Sequence, residues 1–149
     1  MTRKLKLLFL VLSVLWTMFI FSNSMASAEQ SSQNSGVIVT FLLNFIKNID
    51  VSFLTFIIRK LGHFLEFFVQ GMFIGFTFLL SAKFTKNIIY ILFFGLLSAV
   101  TDEFIQLFSP GRDAMVQDVL IDFSGTVVAC LICILIYSVL KRKRMINHE

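Results

Sequence analysis

Proline is all but missing, with one in 149 residues, and charged side chains make up only 15 % of the chain. A water-soluble domain carries about a quarter of its residues as charges, so neither value belongs to one. In their place stand 57 % hydrophobic residues and 19 phenylalanines, more apolar bulk than a chain this short could enclose in a core of its own. The solvent this sequence calls for is a bilayer. The net charge of +4 is no footprint of nucleic-acid binding, because the basic residues sit at the ends of apolar runs without the interleaved aromatics of a stacking surface. Zincin, serine-elbow and P-loop patterns are missing as well. Cysteine is limited to Cys130 and Cys133, whose C-x-x-C spacing would suggest redox or zinc chemistry in a soluble protein. Here both lie within an apolar run over residues 123–140, where no cation could stabilise a thiolate, so they read as packing thiols.

What is present is a series of long apolar runs. Residues 5–22 follow the basic start Arg3, Lys4, Lys6 and predict a first membrane span; 61–82, closed by Lys83 and Lys86, predict the second, 88–108 the third and 115–140 the fourth. Ala26, Ser27 and Ala28 form an A-x-A site after the first run, so removal of that run before Glu29 as a signal peptide is the competing expectation. The run is longer than a usual signal-peptide core, which favours a retained span.

Residues 37–58 are apolar enough to suggest a fifth crossing, but Asn44, Lys47, Asn48 and Asp50 would lie at its centre. Each central Lys or Asp costs roughly 2.5–3.5 kcal/mol on insertion scales, and a fifth span would turn the basic block at 141–144 away from the cytoplasm. Thr40, Asn44, Asn48, Ser52, Thr55 and Arg59 recur every three or four positions, as on a helix lying in the outer interface. The expected fold class is therefore all-α: a polytopic membrane bundle of four transmembrane helices with an outer amphipathic helix, forming a single domain over 1–149. Four spans put both termini in the cytoplasm, along with nine of the 13 basic residues: Arg3, Lys4, Lys6, Lys83, Lys86 and the four at 141–144. All acidic residues but Glu149 then fall in outer loops or the outer parts of spans, a bias that orientation itself does not require.

That bias defines the candidate site. On the second span Arg59, His63, Glu66 and Gln70 are spaced by four, three and four, which stacks them on one helical face with Lys60 alongside. Asp102, Glu103 and Gln106 occupy the last turns of the third span, and Asp118 and Asp122 lie four apart on the fourth, with Gly125 and Ala129 continuing the stripe as small contact residues. Between them, Pro110 and Gly111 suit the central positions of a type II turn, Asp113 can cap the next helix, and Arg112 faces the carboxylates. Like charges 4 Å apart repel by about 4 kcal/mol at an effective dielectric of 20. Crowding therefore demands compensation, from Arg112, Lys60, a protonated His63, a bound divalent cation or carboxyls that keep their protons. Gly71 and Gly75 form a G-x-x-x-G pair that reads as close helix packing. For Arg59, Lys60 and Asp113 the plainer expectation is anchoring at the membrane surface.

Taken together, these residues resemble the VanZ-like family of bacterial membrane proteins, named for an accessory factor in resistance to the glycopeptide teicoplanin. The likeness runs through Trp16, Phe21 and Ser22; Lys60, His63 and Glu66 in KLGHFLEF; Asp102, Glu103 and Gln106 in DEFIQ; Pro110, Gly111 and Arg112; and Asp118, Asp122 and Gly125 in DVLIDFSG. It implies a multi-pass protein of the bacterial cytoplasmic membrane, and it strengthens a retained first span.

The leading functional expectation is a cell-envelope protein whose outer polar pocket binds an amphiphilic envelope component or glycopeptide antibiotic among the membrane lipids, and so alters susceptibility to glycopeptides or lipoglycopeptides. The competing one is a membrane enzyme acting on a lipid-linked or cell-wall substrate. Glu66, His63, Asp102, Glu103, Asp118 and Asp122 would then do the chemistry, while Arg112, Gln106, Lys60 and Gln70 bind. A divalent cation, if held, would be Mg²⁺ or Mn²⁺ rather than Zn²⁺, since one histidine is at hand and both cysteines are remote. Proton- or cation-coupled transport is the third, disfavoured because no charged residue interrupts the inner halves of spans two to four and no inverted repeat is evident.

Overall fold

The computed structural model describes residues 3–46, 49–79 and 84–146, the last three by backbone alone. They form five helices: α1 (Arg3–Ser24), α2 (Ala28–Leu43), α3 (Val51–Leu79), α4 (Phe84–Gln106) and α5 (Val116–Ile146). No strand occurs among the described residues. Helices α1, α3, α4 and the Val116–Lys143 part of α5 are each long and apolar enough to cross a membrane. Their outward faces are apolar too, with Met18, Phe53, Phe93, Phe104 and Leu135 each more than half exposed. Such surface is stable against lipid tails and not against water. The chain has the architecture of a multi-pass membrane protein, of the all-α class expected.

The fifth helix is real but lies elsewhere than its polar periodicity suggests. Residues 37–58 do not form one helix: they are divided between the end of α2 and the start of α3. Capping explains the division. Asn44 is the C-cap of α2, and the Asp50 carboxylate accepts a hydrogen bond from the Ser52 N–H at 2.8 Å, satisfying a free donor in the first turn of α3. Lys47 and Asn48 lie outside the described residues. At its other end, α2 begins on Ser27, whose hydroxyl accepts from the Gln30 N–H while the Gln30 side chain accepts from the Ser27 N–H, both at 3.2 Å. The A-x-A residues thus hold a helix-starting capping box.

Helix α3 is the hub, packed against α1, α2, α4 and α5. Its 29 residues span about 43 Å, well over the ~30 Å of a hydrocarbon core. Counted back from Leu79, about 20 residues of α3 suffice to cross, which puts Lys60 at the apolar boundary and His63 and Glu66 just within it. Close approach to α5 depends on glycine. A Cβ on Gly125 would collide with the backbone carbonyl of Phe64 and lie 2.9 Å from the Phe68 nitrogen; one on Gly71 would lie 2.8 Å from the Ala129 Cβ; and one on Gly75 would run into the Cys133 sulfur. The Gly71/Gly75 pair therefore serves packing within the chain.

The two halves of the bundle differ in what fills them. At one end Ile74, Leu79, Phe84, Ile91, Cys130 and Cys133 form a dry core, with both cysteines as free thiols. Towards the other end, where α1 and α4 finish and α5 starts, the apolar core shrinks to Ile20, Phe67 and Ala99, and buried polar side chains take over.

Candidate functional site

The turn joining α4 to α5 sets the site's geometry. The Arg112 N–H donates to the Ser109 carbonyl at 3.2 Å, and Gly111 has φ of 72°, as the third residue of a type II turn requires. This tight hairpin places the last turn of α4 beside the first turns of α5. Asp102 and Asp122 thereby come to face α3 across the bundle, both wholly buried. His63 reaches between them: its Nδ1 lies 3.4 Å from Asp122 Oδ1 and 4.0 Å from Asp102 Oδ2.

Each remaining carboxylate has its own neighbour. Asp102 accepts hydrogen bonds from the Ser24 hydroxyl and, at 2.8 Å, from the Gln106 amide. Glu66 accepts from the Asn23 amide at 2.9 Å. Asp118 is paired with Lys60, so this couple anchors the flank of the site. Glu103 accepts from the Met115 N–H at 2.9 Å, which gives the start of α5 a carboxylate from α4 where Asp113 was expected to cap. Two oxygens of Asp122, one of Glu103 and His63 Nδ1 have no hydrogen-bond partner among the described residues.

Two recesses adjoin this cluster. One, of about 210 Å³, is bounded by the end of α1, by α2, by α3 and by the turn, and is lined by Asn23, Asn34, Arg59, His63, Glu66 and Arg112 with Ile38 and Ile58 at its apolar edge. The other, of about 570 Å³, lies between the starts of α3 and α5, with Lys60, Gln106 and Asp118 in its wall. Arg59, His63 and Arg112 belong to both. Burial and the neighbouring Arg59 lower the Arg112 guanidinium from its usual value, while Asp102, Glu103 and Glu66 pull the other way. Arg112 stays a cation, and its Nε is buried without a partner among the described residues.

Of the expected residues, the structure brings His63, Glu66, Asp102, Glu103, Asp122, Gln106 and Arg112 together, with Lys60 and Asp118 at the flank. Gln70 is separated from them. It lies deeper, wholly buried, and donates to Thr17 at 2.7 Å and to Ser98 at 3.1 Å as an interhelical tie. Asn23 and Ser24, absent from the sequence-derived set, contact two of its carboxylates. Trp16 supports them from α1 by donating its indole N–H to the Glu66 carbonyl at 2.8 Å. The polar run Ser22, Asn23, Ser24 that closes the first apolar stretch was the available signal.

A polytopic bundle with its buried carboxylates gathered at one end is the class that fold and site define. A family model described as VanZ/LLP1 matches residues 9–137, and the chain belongs to that family. No curated protein and no solved structure matches it.

Proposed function

We propose that this is a VanZ-type cell-envelope protein whose polar recess receives the headgroup of an amphiphilic envelope component at the outer leaflet, and that it thereby modulates susceptibility to glycopeptide or lipoglycopeptide antibiotics. One observation carries the reading: Arg59 and Arg112 line the same recess against a single lining carboxylate, Glu66, with Arg112 Nε unpartnered among the described residues, while Ile38 and Ile58 supply its apolar part. Two guanidinium groups that repel each other are reconciled by an anionic group between them, and an apolar edge suits the chain attached to a headgroup. The outer location rests on the basic residues at the opposite ends of the helices, Arg3, Lys4, Lys6, Lys86 and 141–143 among them.

The test is susceptibility at matched expression. Arg112→Gln and Glu66→Gln are expected to abolish the change in glycopeptide susceptibility that the unaltered protein produces, and Asn23→Leu to weaken it. An unchanged effect in Arg112→Gln overturns the reading.

A specific arrangement favours a second reading, an enzyme acting on a lipid-linked or cell-wall substrate. Glu66 and His63 face the recess with Asp122 behind the imidazole, as a proton-transferring pair with an orienting carboxylate would. Mass spectrometry of lipid-linked cell-wall precursors incubated with the purified protein decides it, and unaltered precursors retire it. Coupled transport has less support, because the Ile74, Phe84 and Ile91 core closes the other half of the bundle.

A further inference from the structure

Asp102 and Asp122 are two wholly buried carboxylates on neighbouring helices, and their surroundings differ. Asp102 is held by Ser24 and Gln106. Neither oxygen of Asp122 has a hydrogen-bond partner among the described residues, and its one charged neighbour from α3 is His63, with Nδ1 3.4 Å from Oδ1. A buried carboxylate with both oxygens unpartnered calls for an occupant. The imidazole beside it supplies one cation at most for two acids.

One ligand atom each from His63, Asp102 and Asp122 lie within 4.8 Å of one another. Two atoms held about 2.1 Å from a common ion lie about 3 Å apart when adjacent and about 4.2 Å apart when opposite, so closing on an ion would draw these side chains in by about 0.6 Å or more. We propose that His63, Asp102 and Asp122 form a divalent-cation site at the floor of the polar recess.

The charges balance, since two carboxylates and a neutral imidazole match a doubly charged ion. The supporting residues are in place as well: Ser24 and Gln106 donate to Asp102, the usual means of orienting a ligating carboxylate. One nitrogen and two carboxylate oxygens suit Mn²⁺, which accepts imidazole and carboxylate alike, better than the thiol-seeking ions. His63 also lines both recesses, so the ion's further positions open on the side from which a ligand would enter. The site stands without any headgroup and does not rest on the susceptibility reading.

Full-length protein in detergent, stripped with EDTA, is titrated with Mn²⁺ and followed by the loss of the free-ion electron paramagnetic resonance signal, with thermal unfolding in parallel. One Mn²⁺ per chain is expected, together with a raised unfolding midpoint. Asp122→Asn is expected to weaken binding by more than 100-fold, and Gln106→Leu by 10- to 100-fold through the Asp102 carboxylate. His63→Ala, at a position still partly exposed, carries the same test should Asp122→Asn not fold. Arg112→Gln, which removes a cation coupled to Asp102, is expected to bind Mn²⁺ at least as tightly as the unaltered protein, so that a lost susceptibility effect with retained Mn²⁺ binding separates the two proposals. Absence of saturable Mn²⁺ binding, or binding unaltered in Asp122→Asn or His63→Ala, overturns the cation site.

Discussion

Gly125 shows how a single missing side chain decides where two helices meet. Its Cα rests against the α3 backbone between Phe64 and Phe68, and that approach holds Asp122, one turn earlier, against His63. Gly125→Ala should push α5 away from α3 at a cost of about 1–3 kcal/mol, as overpacking does. Gly36→Ala, where nothing lies within 4 Å, should be neutral or slightly stabilising through helix propensity. Denaturant midpoints of the purified variants check both. At this scale the sequence was readable where spacing alone mattered. The stripe of Asp118, Asp122, Gly125 and Ala129 and the turn at Pro110 and Gly111 both appear as expected. Partners across helices were not readable: Gln70 shares a helical face with Glu66, yet depth assigns it to Thr17 and Ser98, and periodicity carries no depth.

Among the elements, α1 does more than anchor. It supplies Asn23 to Glu66, Ser24 to Asp102 and Trp16 to the α3 backbone, so cleavage before Glu29 would strip Glu66 of its side-chain donor and the buried Asp102 of one of its two. The mature protein is therefore expected to retain α1, and an epitope tag at the N terminus should remain on the full-length band of a C-terminally tagged protein in membranes; its loss during export would count against this. The boundaries of α2 and α3 were legible in principle. Ser27, Ala28, Glu29, Gln30 has the S-x-x-Q form of a capping box, and Asp50 is a favoured N-cap. The polar periodicity over residues 37–58 obscured both, because it runs on through a break that only the caps mark.

For the whole molecule, four apolar runs and the direction of the basic residues sufficed to give the class of fold, since a bilayer leaves few alternatives to a helical bundle. The sequence could not say which helix sits at the centre. That role falls to α3 because Gly71, Gly75 and Gly125 let α5 close on it, and such complementarity belongs to pairs of surfaces rather than to either run. Orientation is directly testable. Asn34→Cys, on the exposed side of α2, should react with a membrane-impermeant maleimide on intact cells, and Lys141→Cys only after permeabilisation. Reversed reactivity would turn the polar end inward. The native Cys130 and Cys133 are buried in the dry core and should stay silent in both.

The segment between α1 and α2 is stitched to the α4–α5 turn: the Ala28 N–H donates to the Pro110 carbonyl at 3.0 Å, and the Ser109 hydroxyl donates to the Ser24 carbonyl at 2.7 Å. During synthesis the first of these partners emerges from the ribosome long before the second. A nascent chain that stops after α3 leaves Lys60 at the apolar boundary and His63 just within it, with no acid from the later helices to meet them. Insertion and docking of the final hairpin is therefore the step that brings Asp118 to Lys60 and Asp122 to His63.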